Sequence, residues 1–458
     1  MEKLILKDLI SKYNVPGPRY TSYPTVPYWE GEGLSEETWK AHVKSSFAVS
    51  NSSQGISLYI HLPFCESLCT FCGCNKRITK NHSVEEVYLK AVVKEWKMYR
   101  SILPGIPKIT DIHFGGGSPT FFSAENLGKL LDGIFEGAEK GENASFSIEG
   151  HPNYTREDQL VTLYNYGFRR ISFGIQDFDP RVQEVINRIQ PFENVENATY
   201  LARKVGFTSV NYDIIYGLPL QKEESIIDTI QKVGKLRPDR IAFYSYAHVP
   251  WIKGVGQRKF TEEDLPKGPE KRKLYETGKE MLGDLRYEEI GMDHFALITD
   301  KLYNSMKEKN LHRNFMGYVD SKTELMIGLG VSSISDSWTC FAQNVKSVEA
   351  YYKLLEEKKL PIFRGHELNP EDLLVRKHIL ELICNFETKL NLSDWNENDF
   401  EKIEWSMRDF VNDGILTFQD GIIKVLEEGK PFIRNICMAL DLRLFRAKPE
   451  TQLFSMTI

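Results

Sequence analysis

The sequence predicts an α/β protein: a parallel sheet wrapped by helices, with an N-terminal arm and a small α-rich C-terminal module. Three observations predict it. Between Ile56 and about Pro250, short β-rich runs alternate with segments of helical periodicity. The first fifty residues lack that rhythm, and after Asn369 the pattern turns helical and ends in a hairpin.

The elements follow in order. "GPRYTSYPT" and "WEGEG" read as extended chain with turns, and Ser35–Phe47 as a helix. The strands are "SLYIHL", "DIHFGGG", "SFSIEG", "RISFGIQ", "VNYDIIYG" and "RIAFYSYA". Between them Val84–Arg100, Ala124–Phe135, Arg156–Tyr166, Asn194–Val205 and Glu223–Lys235 have helical spacing. Strands joined by helices favour parallel pairing, because a crossover of that length returns the chain to the end of the sheet where the previous strand began. Periodicity leaves open whether the sheet stays flat or curls into a partial barrel. From Thr261 to Val348 the pattern is mixed, with a helix over Pro269–Leu285 and glycine-rich turns in "GLGVSSISDS". Glu371–Phe386 and Asp399–Asp413 read as helices and "ILTFQDGIIKVL" as a hairpin, together a winged-helix-like module. It lacks a basic recognition helix, so packing or covering is expected of it rather than DNA binding. The expected domains are 1–50 (arm and helix), 51–368 (catalytic, with a core barrel at about 55–255 plus an extension) and 369–458 (C-terminal module).

Composition narrows the function. The 458 residues are 41% hydrophobic and 27% charged, as in an ordinary globular protein. The net charge of −6 gives no basic field for nucleic acid. No apolar run approaches the roughly 20 residues of a membrane span. "MEKLILKDLISKYN" lacks the apolar core of a signal peptide, so a cytoplasmic location is expected.

Four of the seven cysteines stand within "CESLCTFCGC", residues 65–74, directly after the first strand. In parallel α/β folds ligands sit at the carboxyl ends of strands. Zinc usually takes two distant Cys-x₂-Cys pairs, and no second pair exists here. Iron–sulfur cubanes take one thiolate per iron, so Cys65, Cys69 and Cys72 leave one corner open. Cys74, with only Gly73 between it and Cys72, would need a very tight turn to close the cluster and reads as a neighbour. A closed cluster and a zinc site are the weaker alternatives. Cys340, Cys384 and Cys437 read as small buried hydrophobes.

Cys-x₃-Cys-x₂-Cys after a first strand resembles the signature of the radical S-adenosylmethionine superfamily. "GPRYTSYPT", "YIHLPFCESLCTFCGCNK", "HFGGGSPT", "GIQDF", "GFTSVNYDIIYGLP", "YAHVP", "GMDHFA", "LHRNF", "AQN" and "RNICM" further resemble, from Tyr13 to Ile458, the oxygen-independent coproporphyrinogen III oxidases of haem biosynthesis. The resemblance implies a partial (βα)6 TIM-like barrel. It implies one [4Fe–4S] cluster on Cys65, Cys69 and Cys72, and two bound S-adenosylmethionines. The superfamily uses the cluster's electron to break the sulfonium, giving methionine and a 5′-deoxyadenosyl radical. The implied reaction turns two propionates of coproporphyrinogen III into vinyl groups. The implied partners are that substrate, an unidentified low-potential electron donor and an unidentified electron acceptor, with the chain a monomer.

By the same resemblance Tyr59, Gly116, Glu149 and Ile334 serve the first S-adenosylmethionine. Phe71, Gly117, Ser118, Gln176, Arg188, Asp213 and Ala247 serve the second. Physical readings run alongside. The glycines of "GGGSPT" would bring backbone amides close to a carboxylate. Asp213, in an apolar run, needs a partner, and Arg188 could grip a carboxylate bidentately. Ser118 stands where the family usually has threonine, and Gly150–His151 departs from its usual Val–Asp. His61, Asp293, His294, His312 and Arg313 are weaker candidates. Arg19, Arg258, Lys259, Arg313 and Arg434 are candidate propionate-binding residues. A haem-trafficking relative and an electron-transfer cluster protein are the alternatives.

Overall fold

A computed structural model describes residues 2–29, 33–250, 257, 259–447 and 453–457. Six parallel strands run in sequence order: β1 (Ile56–Leu62), β2 (Lys108–Gly116), β3 (Glu139–Gly150), β4 (Phe168–Gln176), β5 (Ser209–Tyr216) and β6 (Arg240–Ser245). Helices Val84–Ile102, Ala124–Phe135, Glu157–Tyr166, Phe192–Val205 and Glu223–Leu236 alternate with them, within three residues of the sequence reading.

The sheet does not stop at six strands. After β6 come β7 (Tyr287–Gly291) and β8 (His294–Leu297), then β9 (Met326–Leu329), β10 (Ile334–Asp336), β11 (Cys340–Asn344) and β12 (Ile362–Glu367). Among the described residues the order β12-β11-β10-β9-β1-β2-β3-β4-β5-β6-β8-β7 makes one twelve-stranded sheet that curls without closing. The partial barrel is therefore borne out, with a further parallel strand, β9, against β1 and antiparallel strands beyond it and beyond β6.

Alternation along the strands gives the sheet two unlike faces. Leu58, Ile60, Ile112, Phe114, Phe146, Ile148, Ile171, Phe173, Tyr212 and Ile214 are buried in the layer beneath the helices. Their sequence neighbours face the other way, toward a concave polar side. Tyr59, His113, Ser147 and Arg170 stand in register across β1–β4, and Glu149, Ser172 and Asn211 across β3–β5. Buried parallel strands usually read as continuous apolar runs. A polar inner face marks a lumen for a ligand.

A second core joins the ends of the chain. Tyr13, Tyr20 and Tyr23 pack with Ile290, Leu302 and Tyr318 and with the C-terminal helices Pro370–Asn385 and Glu397–Asn412. The N-terminal segment opens with a helix, Glu2–Tyr13, ahead of the extended "GPRYTSYPT" stretch, and the next helix runs Glu36–Ser53. The C-terminal hairpin gains a third strand, Glu387–Lys389. Among the described residues no helix is long and apolar enough to cross a membrane.

Candidate active site

The cysteine loop is pinned at both ends. Strand Phe64–Cys65 pairs with Arg77–Ile78, and the amides of Arg77 and Thr79 donate to the carbonyls of Pro63 and Cys65 at 2.8 and 2.9 Å. From the far side, the Thr70 amide donates to Ile186 O at 2.9 Å and Asn187 Nδ2 to Leu68 O at 2.7 Å. The His61 ring bridges Tyr59 Oη (3.1 Å) and Asn75 O (2.8 Å), so β1 itself braces the end of the loop.

Above the carboxyl ends of β1–β6 lies a cavity of about 280 Å³. It is lined by Cys65, Cys69 and Cys72, and by Phe71, Gly116, Gly117, Ser118, Glu149, Gln176, Arg188 and Asp213. Tyr59, Ala247 and Ile334 are not among its walls. Tyr59 stands behind His61, stacked on His113 at 5.9 Å. Ala247 O accepts from Gln257 Nε2 at 3.1 Å, and the same amide donates to Phe71 O at 2.9 Å, tying β6 to the cysteine loop. Ile334 opens β10 and packs beside Trp29 and Phe341.

The glycines have a different physical reason from the one the sequence suggested. Gly116 N donates to Glu149 Oε2 (3.2 Å), Gly117 N to Leu62 O (2.8 Å) and Ser118 N to Phe64 O (3.0 Å), so these amides are engaged within the chain. A Cβ on Gly117 would stand 2.6 Å from the Pro63 carbonyl carbon, and one on Gly116 2.6 Å from the His61 ring. The glycines let β2 lie flush against the start of the cysteine loop. Gly150 follows the same logic: the Phe173 ring occupies the place of a Cβ, at 2.9 Å. Beside it His151 is buried, its amide on Thr120 Oγ1 (3.0 Å). Burial and the nearby Arg188 drop its pKa to about 2, leaving it neutral.

Charge at the site is uneven. Glu149 meets His113 Nε2 at 3.2 Å. Burial pushes the carboxyl up, but His113, the Gly116 amide and His61 together hold it below its ordinary value. Asp213 accepts from Ser172 Oγ (3.0 Å) and Asn211 Nδ2 (2.8 Å), both neutral. Burial, then repulsion from Glu149, raise it to about 6. Arg188 spans the site, with Nη2 on Gly174 O (2.7 Å) and Nη1 facing Cys69 Sγ (3.6 Å). The Ser118 hydroxyl faces Cys65 Sγ at 3.6 Å, and burial lifts that thiol to about 11. A hydrogen bond from Cys74 holds Cys72 at about 6 against burial, while Cys74 itself is driven well up.

The donor set suits an iron–sulfur cluster better than a lone ion. Among the described residues no three His, Cys, Asp or Glu side chains converge to hold a single metal ion. A cubane needs thiolates spread around a rim, one per iron, and three thiols spread over one cavity meet that demand.

The weaker candidates separate. His294 is buried in a second, polar cavity within the barrel, 3.5 Å from Tyr244 Oη, and burial and Arg313 lower it to about 3. His312 is likewise lowered to about 3, by burial and Arg376. Asp293 pairs with Arg19 at 3.4 Å. Arg313 is buried over the Tyr318 ring at 4.7 Å. Arg434 lines the small cavity beside Arg19 but spends its donors within the chain. It donates to the carbonyls of Gly17, Pro18, Met456 and Thr457, clasping the two ends of the chain. Lys259 is exposed, and Arg258 lies outside the described residues. His113, His151 and Tyr244 belong to the site and were missed. For His113 and Tyr244 the signal was the inward phase of the strand, whereas His151 follows the end of β3.

A barrel whose first strand ends in three thiols over a polar lumen defines a radical SAM protein, and the Radical SAM superfamily matches residues 59–233. The oxygen-independent coproporphyrinogen III oxidase of Synechocystis is 38% identical over 98% of this chain and 97% of its own length. That of Escherichia coli K12 is 37% identical over 98% of each. The solved structure of coproporphyrinogen III oxidase from E. coli, described as a radical SAM enzyme, matches with a TM-score of 0.87 at 36% identity, covering 93% of this chain and 98% of that one. The chain belongs to the oxygen-independent coproporphyrinogen III oxidase family. With membership come a [4Fe–4S] cluster and S-adenosylmethionine.

Proposed function

We propose that this chain converts two propionates of coproporphyrinogen III to vinyl groups without oxygen, yielding protoporphyrinogen IX. The observation that carries the reading is the shared cavity. The cysteine loop opens on the same space as Glu149, Gln176, Arg188 and Asp213. In this reading Cys65, Cys69 and Cys72 hold the cluster, and Cys74 stays a neighbour. Glu149, held ionised, takes the polar end of one S-adenosylmethionine, with Tyr59, Gly116 and Ile334 nearby. Gln176, Arg188 and Asp213 take a second, with Phe71, Gly117, Ser118 and Ala247. When bound, cluster and S-adenosylmethionine together supply the radical that removes a hydrogen atom from the propionate β-carbon. The chain contributes placement and dryness: Phe71 shields the thiols, and the lumen fixes the reacting arm. Each turn releases carbon dioxide and passes one electron to an acceptor. We assign the enzyme to the cytoplasm as a monomer, served by a low-potential donor and an acceptor still to be identified. The test is anaerobic turnover of reconstituted protein with reductant, S-adenosylmethionine and coproporphyrinogen III. The reading requires carbon dioxide, 5′-deoxyadenosine and vinyl product together. S-adenosylmethionine cleavage with no vinyl product would overturn the substrate assignment.

A further inference from the structure

At the end of β6 two consecutive carbonyls each hold a cation. Ser245 O accepts from Arg19 Nη2 and Tyr246 O from Lys271 Nζ, both at 3.0 Å. Arg19 has one carboxylate, Asp293, at a loose 3.4 Å. Lys271 forms no ion pair among the described residues and rests 6.0 Å from the centre of the Tyr216 ring. The surrounding charges do not compensate it. Arg272 pairs with Glu276, Lys430 with Glu427 at 2.6 Å, and Glu289 is held by Lys279 at 2.7 Å. Arg434, also close, spends its donors on backbone carbonyls and adds only positive charge. Burial, then Arg19 and Arg434, lower the Lys271 pKa to about 8. A partly buried cation without a counter-ion costs folding free energy and persists where a ligand supplies the missing charge. Arg19, Tyr216 and Arg434, with the already paired Asp293 and Glu289, line a cavity of about 50 Å³, room for a carboxylate but not for a tetrapyrrole ring; Lys271 is not among its walls and stands beside it, over the Tyr216 ring. Ala247, the next residue along, is tied through Gln257 to Phe71, so the cations flank the S-adenosylmethionine cavity.

We infer that Arg19 and Lys271 seat one of the two propionates that the substrate keeps, an inference that rests on the function proposed above. The choice between arms is chemical. Two cations stabilise a carboxylate as it stands and oppose its departure as carbon dioxide, so the seat suits an arm that does not react.

The test is Lys271→Met in the full-length reconstituted enzyme, titrated by fluorescence with two probes. Coproporphyrin III carries all four propionates; mesoporphyrin IX carries only the two at the retained positions. The variant should bind both about tenfold or more weakly while melting no lower than wild type, since an uncompensated charge is gone. Unchanged affinity for both overturns the seat. Loss for coproporphyrin III alone assigns it to a reacting arm and overturns the inference as stated. A clear fall in melting temperature makes Lys271 structural and also overturns it. Wild-type protein that binds neither porphyrin overturns the proposed function, and the seat with it.

Discussion

Replacing Asp213 by asparagine should raise stability and remove activity together. The carboxyl is raised from 3.8 to about 6 by burial and by Glu149, against help from Ser172 and Asn211. A tenfold change in proton affinity corresponds to about 1.4 kcal/mol, so keeping this group ionised at neutral pH costs at most about 3 kcal/mol. Water in the cavity lowers that figure, and an asparagine Nδ2 would face the Asn211 amide. A net gain of about 1 kcal/mol is the expectation. The sign with pH follows from proton counting. Between about pH 4 and 6 the folded chain holds more protons at this site than the unfolded chain, so its contribution to stability falls as pH rises. The advantage of Asp213→Asn should therefore be full at pH 7.5, about half as large at pH 5, and absent below pH 4. Urea unfolding of the apoprotein at those pH values measures it, with calorimetry of S-adenosylmethionine binding to the reconstituted protein alongside. A variant less stable than wild type at pH 7.5, or one that binds and turns over normally, would show that Asp213 is not a ligand-binding acid held at a cost.

Arg434→Met should cost about 3–5 kcal/mol, because it strands buried carbonyls at both chain ends; faster proteolysis near Gly17 and a lower urea midpoint would register it, and an unchanged midpoint would contradict the clasp. Gly117→Ala forces a Cβ to within 2.7 Å of Pro63 O. Because backbone cannot yield as a side chain does, a loss of about 1–3 kcal/mol and poor cluster retention are expected, and normal iron content in a fully stable variant would argue against close approach as the glycine's purpose.

Much of this architecture was legible because strong periodicity survives folding. The six parallel strands and their helices emerge from alternation such as "DIHFG" and "SFSIEG", where burial of every second residue dictates the phase. The edge strands were not legible. β9 to β11 are three to five residues long and nested in glycine- and serine-rich chain, too short to show a period. The site divides similarly. Clustered thiols announce themselves, and Glu149 and Asp213 stood out as acids in β-rich runs. Arg434 misled because a guanidinium can answer to carbonyls far apart in sequence as readily as to a carboxylate. Lys271 gave no signal, since its meaning lies in the counter-ion it lacks among the described residues.

The decisive experiment counts thiols on the cluster and asks what occupies the remaining corner. Alanine should replace Cys65, Cys69, Cys72 and Cys74 one at a time, with iron content measured after anaerobic reconstitution. Electron–nuclear double resonance with isotope-labelled S-adenosylmethionine should be recorded on each variant that keeps a cluster. Three-thiol coordination predicts that Cys74→Ala keeps its cluster and shows coupling to the label, whereas each of the other three variants loses the cluster. A cluster that needs Cys74 as a fourth thiol, with no coupling to the label in wild type, would contradict it.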